Sequence, residues 1–573
     1  MSSSWRRFKP KQFILPKNAR DLLSFLGRYL PHILIFLVVF GLIFFGYRYY
    51  IDHTASAPQT GGTFIEGMAG QPGMINPILS QTNDVDRDLC QLIFSGLLTY
   101  NQDHNLIGDL ADHWDISEDE KVYTVYLKDN LKWHDGEPLT SDDVVLTFHL
   151  IQNEQYPGTL ANNWQDVRVE KIDDQTIQFS LNEVFSPFLV NLTTGILPAH
   201  IFANADPAKI DTMDFNSQPI GSGPYKISKI KIDKKGVYSS IELESFPDYY
   251  GQAPYIPKII IKFYDDYQTL YSAYRQKEVL SIAHVLTADW PMADGMLTNV
   301  SYYDIALPQY TAIFINQDAN TTLRDPYIKE ALYYGLDRER ILEEAVYNKG
   351  KVIDTPILEG FMGYNPDIAH INRDVEKAKA VLEQGKWTDV DGDGVREKDN
   401  VRLKINLITS DNPEFVLASR IIQTNWQEIG IQVEVGVFTI GELESQYIKP
   451  RQYDALLFGE NLGADPDPYV YWHSSQINDP GLNLSNYTNV EVDRYLENGR
   501  QTNDIESRIH NYLPFQEVIT DEKPAIFLYR PYYIYAVNPS VQGINVDHAS
   551  NPAERFLFIS DWYINTQRVW KTA

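Results

Sequence analysis

The sequence predicts an α/β protein held behind one membrane-spanning helix. Strand-like and helical runs alternate from about residue 63 onward, the pattern of α/β architecture. Nineteen uncharged residues, Tyr29 to Tyr47, lie between Arg28 and Arg48, and at about 1.5 Å per residue they match the hydrocarbon core of a bilayer. Beyond residue 48 the chain is strongly acidic, with 41 bases against 76 acids.

The charge around the apolar stretch orients it. Arg6, Arg7, Lys9, Lys11, Lys17, Arg20 and Arg28 precede it with one acid, Asp21, and no Lys or Arg follows Arg48 until Arg87. Positive charge stays on the cytoplasmic side. Residues 1–28 are therefore expected as a basic cytoplasmic segment, 29–50 as a single-pass helix, and the rest outside the cell. A cleaved signal peptide is the competing reading, because Ala55-Ser56-Ala57 follows the apolar core as a cleavage site would. Against it, the basic region is long and Pro58 would follow the cut. Residues 51–60 are polar, short and proline-containing, and predict a linker.

Composition excludes several functions. A body of net charge −35 (41 bases, 76 acids) repels phosphates and is not expected to bind nucleic acid. Cys90 is the only cysteine, which rules out an intrachain disulfide and a two-cysteine metal site. Its neighbours Leu89, Leu92, Ile93 and Phe94 predict a buried thiol. No HExxH, GxSxG or Walker loop is present. No catalytic residue, cofactor or metal is expected, and any ATPase must be another polypeptide.

The elements follow in order. Thr63–Glu66 predicts a strand after a glycine pair, and Val85, Leu89, Leu92 and Ile93 have helical spacing. Val122–Leu127 alternates as a strand, and Trp133-His134-Asp135-Gly136 ends one in a turn. Thr140 or Ser141 caps a helix whose apolar face is Val144, Val145, Phe148 and Ile151. Pro219–Tyr225 is a glycine turn. Strands are predicted at 259–263, 312–316, 403–408 and 431–435, and helices begin at Asp325-Pro326 and span 415–429.

Read together, GGTFIEGMAGQPGMINPI from Gly61, YTVYLKDNLKWHDGEPLTSDDVVLTF, PIGSGPYKI, AIFINQDA, LRDPYIKEALYYGLDRERIL, EKAKAVLEQGKW, GIQVEV and YDALLFGENLGADPDPYVYW resemble, in this order, the extracellular solute-binding proteins of family 5. These are the oligopeptide and dipeptide receptors of ABC importers, and the resemblance covers about residues 60–562. It implies a periplasmic-binding-protein-like, two-lobed clamshell of class II with an inserted domain. The body, 61–565, would comprise a large lobe (61–84, 216–305 and 527–565), an inserted domain (85–215) and a second lobe (306–526), with hinge strands near 305–316 and 524–535. It further implies a monomeric receptor that captures peptide and delivers it to permease and ATPase subunits. Nickel complexes, oligosaccharides and other small solutes are the alternative ligands within the family. The chain departs from the family in having no lipid-attachment cysteine and in carrying the helix instead.

The resemblance also implies substrate-binding residues. Asp465 matches the position whose carboxylate pairs with the ligand's α-ammonium, with Tyr469 and Trp472 expected beside it as an aromatic wall. The plainer reading of Asp465 is a turn cap, and of the aromatics, core. A surface hydrolase using Asp465 and Asp467 as acid and base is the rival from another class. Asp389, Asp391 and Asp393 resemble the opening of a calcium loop but lack its twelfth-position Glu, so a plain hairpin turn is expected.

Overall fold

The computed structural model describes residues 19–465 and 467–571. Most of the basic segment, residues 1–18, and Pro466 of the GADPDP turn lie outside them. The chain divides into two units: residues 1–59 with 565–573, and residues 60–564.

The first unit is a helix and a ribbon. The helix runs Ala19–His53. Its Tyr29–His53 stretch is long and apolar enough to cross a membrane, with mean hydropathy 2.3 and no part buried. The expected linker at 51–60 is not one: residues 51–53 continue the helix and Thr54–Gln59 is a strand. That strand pairs antiparallel with Asn565–Trp570 over six residues. Arg568 fixes the register by donating from Nε to Thr54 Oγ1 at 2.7 Å and from its terminal nitrogen to the Thr54 carbonyl at 2.9 Å.

The second unit is built on a twelve-stranded sheet. Ala525–Val537 is its central strand. The first half of this strand pairs with Gln309–Ile315 and Gly350–Val352, the second with Ser281–Val285 and Ser301–Ala306. Outward on one side lie Ala455–Asn461, Lys404–Ser410 and Gln432–Phe438. On the other lie Phe64–Ala69, Lys258–Tyr264, Tyr238–Ser245 and Tyr225–Ile232. One strand is thus shared by two half-sheets. Pro531 sits at the changeover, where a residue without an N–H interrupts the ladder least. Pro531 and Tyr532 are the two less buried residues of an otherwise buried strand.

Each half-sheet has its own apolar packing. Around Gln309–Ile315, alternate residues face opposite ways. Ile313 and Ile315 join a core with Trp426 and the helix Pro413–Glu428, while Tyr310, Ala312 and Phe314 join another with Trp472 and Phe527. A smaller antiparallel sheet, in the order Ala111–Ile116, Val122–Leu127, Thr176–Leu181, Val167–Asp173, stands apart from the large one. The helix Ser141–Gln152 crosses it, started by a capping box between Thr140 and Asp143. The glycine turn before Tyr225 is explained by close approach. A Cβ on Gly221 would lie 1.9 Å from the Ile93 carbonyl oxygen, whose bond to the Gly223 amide is 2.8 Å.

A buried ionic knot ties the half-sheet that holds Phe64–Ala69 to the helix Asp84–Ile93. Arg555 is 1% exposed and forks onto Asp88 at 2.7 and 2.6 Å, with Glu66 at 3.2 Å. Glu66 also accepts from the Tyr535 hydroxyl at 3.0 Å and from the Ser281 hydroxyl. Both carboxyls are pushed up by burial and pulled back by Arg555.

Candidate functional site

A cleft of about 810 Å³ opens where the two half-sheets meet. Its floor is the shared strand at Pro531–Tyr533 and the start of Gln309–Ile315. One wall is His284 and Leu286 to Asp289, at the end of the strand Ser281–Val285. The other is the end of Ala455–Asn461 with residues 410–415. There the sixteen-residue helix Pro413–Glu428 begins, its first turn capped by the Asn412 side chain. A cleft at strand ends, between two half-sheets, is where α/β folds place ligands.

The cleft is acidic. Asp289, Asp411, Glu414 and Glu460 line it, and among the described residues no Lys or Arg does. Glu414 accepts from the Tyr529 hydroxyl at 2.6 Å, and burial pushes its pKa up. Glu460 is 7% exposed. It stands directly across the ladder from Tyr310, whose hydroxyl donates to Oε2. Its other oxygen, Oε1, has no hydrogen-bond partner among the described residues. Burial raises this carboxyl to about 8. His284 stacks on Tyr533 at 4.4 Å, and burial lowers its pKa to about 4, so it is neutral at physiological pH.

The GADPDP turn is a different kind of place. Asp465 receives a two-pronged guanidinium from Arg508, at 2.9 and 2.5 Å. Asp467 receives one from Arg500, at 2.9 and 2.5 Å. Tyr469 lies 4.0 Å over the Arg500 guanidinium and stacks on His473. Trp472 is 1% exposed and packs on Phe314 and Phe527 at 6.5 and 5.9 Å.

The middle-segment model of the bacterial extracellular solute-binding proteins, family 5, matches residues 105–480. The chain belongs to that family. The oligopeptide-binding protein AppA of Bacillus subtilis is 29% identical over 521 residues, covering 89% of this chain and 93% of AppA. The structure of AppA in complex with a nonapeptide superposes with a TM-score of 0.68 at 28% identity, covering 89% of this chain and all of that one. NikZ from Campylobacter jejuni, solved in complex with Ni(L-His), gives a TM-score of 0.69 at 26% identity over 87% of this chain and 99% of its own.

In this family 5 protein the sequence-predicted residues and the cleft do not coincide. Asp465, Tyr469 and Trp472 are not among the residues lining the 810 Å³ cleft. The helix starting at Tyr469 turns Trp472 inward onto the apolar face of the sheet, and Tyr469 is taken up by Arg500. Glu460, in the segment YDALLFGENLGADPDPYVYW, also lines the cleft. Its signal is the alternation Leu456, Phe458, Glu460, an acid on the buried face of a strand. Asp389 accepts from the Gly392 and Gly394 amides at 2.8 and 3.0 Å, so its carboxylate closes its own hairpin turn. Cys90 is buried, and burial raises its thiol pKa.

Proposed function

We propose that the protein is a membrane-anchored receptor that captures peptides outside the cell and hands them to the permease of an ABC importer. The observation that carries this is the acidic, 810 Å³ cleft floored by a strand that both half-sheets share. A ligand touching both walls favours their approach, and Pro531 is where the shared strand can bend. The similarity to AppA, a protein solved with a nonapeptide, supports peptide as the ligand class. The lobes of this reading are 61–84, 216–305 and 527–565 for the first, 306–526 for the second, with 85–215 inserted. The apolar helix retains the receptor at the membrane and raises its concentration beside the permease.

The receptor acts as a monomer, without chemistry on its ligand. The permease and ATPase subunits are separate chains. Asp465 would meet a ligand ammonium only by releasing Arg508, so it serves first to hold its own position against the helix Ile505–Glu522.

Mass spectrometry of ligand co-purifying with the outer body tests the proposal. Peptides are the expected result. A nickel chelate or an oligosaccharide would move the ligand class, and a cleaved product accumulating with time would overturn the receptor reading. N-terminal sequencing of the membrane fraction tests the anchor: a mature chain beginning at Pro58 would exclude it.

A further inference from the structure

We propose that Trp570 is a second membrane contact of this chain: the C-terminal strand docks on the outer end of the spanning helix and seats its indole in the interfacial layer of the bilayer's outer face. The inference rests on reading Tyr29–His53 as a retained anchor.

Four observations support it. First, the register brings the end of the chain back to the helix. In the antiparallel pairing Trp570 stands opposite Thr54, the residue that follows the helix, while Asn565 stands opposite Gln59. Second, the strand is polar far from the helix and apolar where it meets it. Asn565, Thr566, Gln567 and Arg568 precede Val569 and Trp570, which are 41% and 62% exposed. An indole has an apolar body and one N–H donor, which suits a layer that is apolar on one side and wet on the other. Third, Trp570 joins aromatic rings at the depth where hydrocarbon gives way to headgroups. Its ring lies 6.0 Å edge-on from Tyr50 and 6.4 Å from Tyr49, both themselves exposed. From Tyr29 to Tyr50 the helix rises about 32 Å at about 1.5 Å per residue, which matches a hydrocarbon core of about 30 Å. With Tyr29 at the inner boundary, Tyr49, Tyr50 and Trp570 share the outer one, where Tyr and Trp rings collect.

Fourth, the docking satisfies the helix itself. The last four carbonyls of a helix have no N–H partner within it. Here they are those of Tyr50, Ile51, Asp52 and His53. Arg568 donates to Ile51 at 2.9 Å, and Lys571 donates from Nζ to Asp52 and from its amide to His53, each at 2.9 Å. Thr54 Oγ1 takes Tyr50, at 2.5 Å. The residues on either side of the Val569-Trp570 pair thus close the helix end, with positive groups at the negative pole of its dipole. The Arg568 guanidinium also lies 5.7 Å over the Tyr50 ring. Because Arg568 and Lys571 are turned onto the helix carbonyls, the ring and not charge carries the contact with lipid. The contact is therefore the same on zwitterionic and anionic bilayers.

The test uses the full chain reconstituted in phosphatidylcholine vesicles, with and without phosphatidylglycerol. A fluorophore is attached after Val569→Cys, Asn565→Cys or Phe40→Cys. Cys90 is the only native cysteine and is buried, so labelling is confined to the new site. Lipids carrying a nitroxide at the headgroup, at the top of the acyl chain or near its end report depth by quenching. The label at 569 should be quenched most by the headgroup and upper-chain nitroxides, equally in both vesicles. The label at 565, about 13 Å further along the strand, should escape all three. The label at 40, in mid-helix, should be quenched most by the deep nitroxide. Adding Trp570→Ser should remove the shallow quenching at 569 and leave the deep quenching at 40 unchanged, and Trp570→Tyr should retain both. A label at 569 no more quenched than that at 565 would overturn the proposal, and deep quenching at 40 would then leave the anchor standing. Shallow quenching that survives Trp570→Ser, or that needs phosphatidylglycerol, would overturn the assignment to the indole. Shallow quenching at 569 without deep quenching at 40 would remove the spanning helix and leave the interfacial contact. Quenching at neither would overturn both.

Discussion

Glu66 and Glu460 are both buried carboxylates on strands of one sheet, and they are completed in opposite ways. Glu66 has every need met from within the chain, by Arg555, Ser281 and Tyr535. Glu460 has one hydroxyl and one bare oxygen, and it borders a cavity. The first arrangement holds elements together whether or not a ligand is present. The second leaves one carboxyl oxygen without a partner among the described residues, at the edge of the cleft.

Substitutions sharpen this contrast, beginning with the most damaging. Arg555→Met should destabilise the body by about 3–5 kcal/mol, because Asp88 and Glu66 would be left as uncompensated buried carboxylates. Chemical denaturation would measure it, and a loss below 1 kcal/mol would mean the knot is dispensable. Glu460→Gln should do the reverse and stabilise the unliganded protein. The folded pKa of about 8 lies above the ordinary 4.5, so folded Glu460 holds its proton where unfolded Glu460 has lost it. Wild-type stability then falls as pH rises from about 5 to 8 and levels off above. The advantage of the Gln variant should widen by on the order of 3 kcal/mol over that window. Parallel curves for the two proteins would show that the carboxyl is not perturbed.

Asp465→Asn should cost about 2 kcal/mol, because Arg508 loses its charged partner in a buried setting. If it instead weakened peptide binding strongly and left unfolding unchanged, Asp465 would belong with Glu460 rather than with Glu66. Arg402→Ala breaks an exposed pair with Asp393 and should move stability by less than about 0.5 kcal/mol. A larger change would undermine the premise that burial separates these charges.

Much of the fold is legible in the sequence because its signals are local. Asp325-Pro326 announces the helix Pro326–Gly335, and Thr140 with Asp143 announces Ser141–Gln152. Ile259–Phe263 alternates as the strand Lys258–Tyr264 does. The site was less legible, because its decisive relations are distant. Asp465 reads as a free carboxylate until Arg508, 43 residues on, is brought against it. Glu460 reads as a strand-end acid until Tyr310, 150 residues earlier, pairs with it. Residues 54–59 read as slack for the same reason: their partner strand begins only at Asn565.

That last pairing changes what the tether is mechanically. A free polar segment of this length behaves as a leash, wandering over a volume set by its square-root reach. The paired strand Thr54–Gln59 is instead a short strut of about 20 Å, braced along its length by a second strand. A strut resists a protease as a leash does not, since cleavage needs the backbone extended and unpaired in the enzyme's groove. Ala55-Ser56-Ala57 lies inside the ribbon. Once the ribbon has zipped, a cut there requires unzipping it first, so cleavage at that site becomes a race between a peptidase and the folding of residues 565–570.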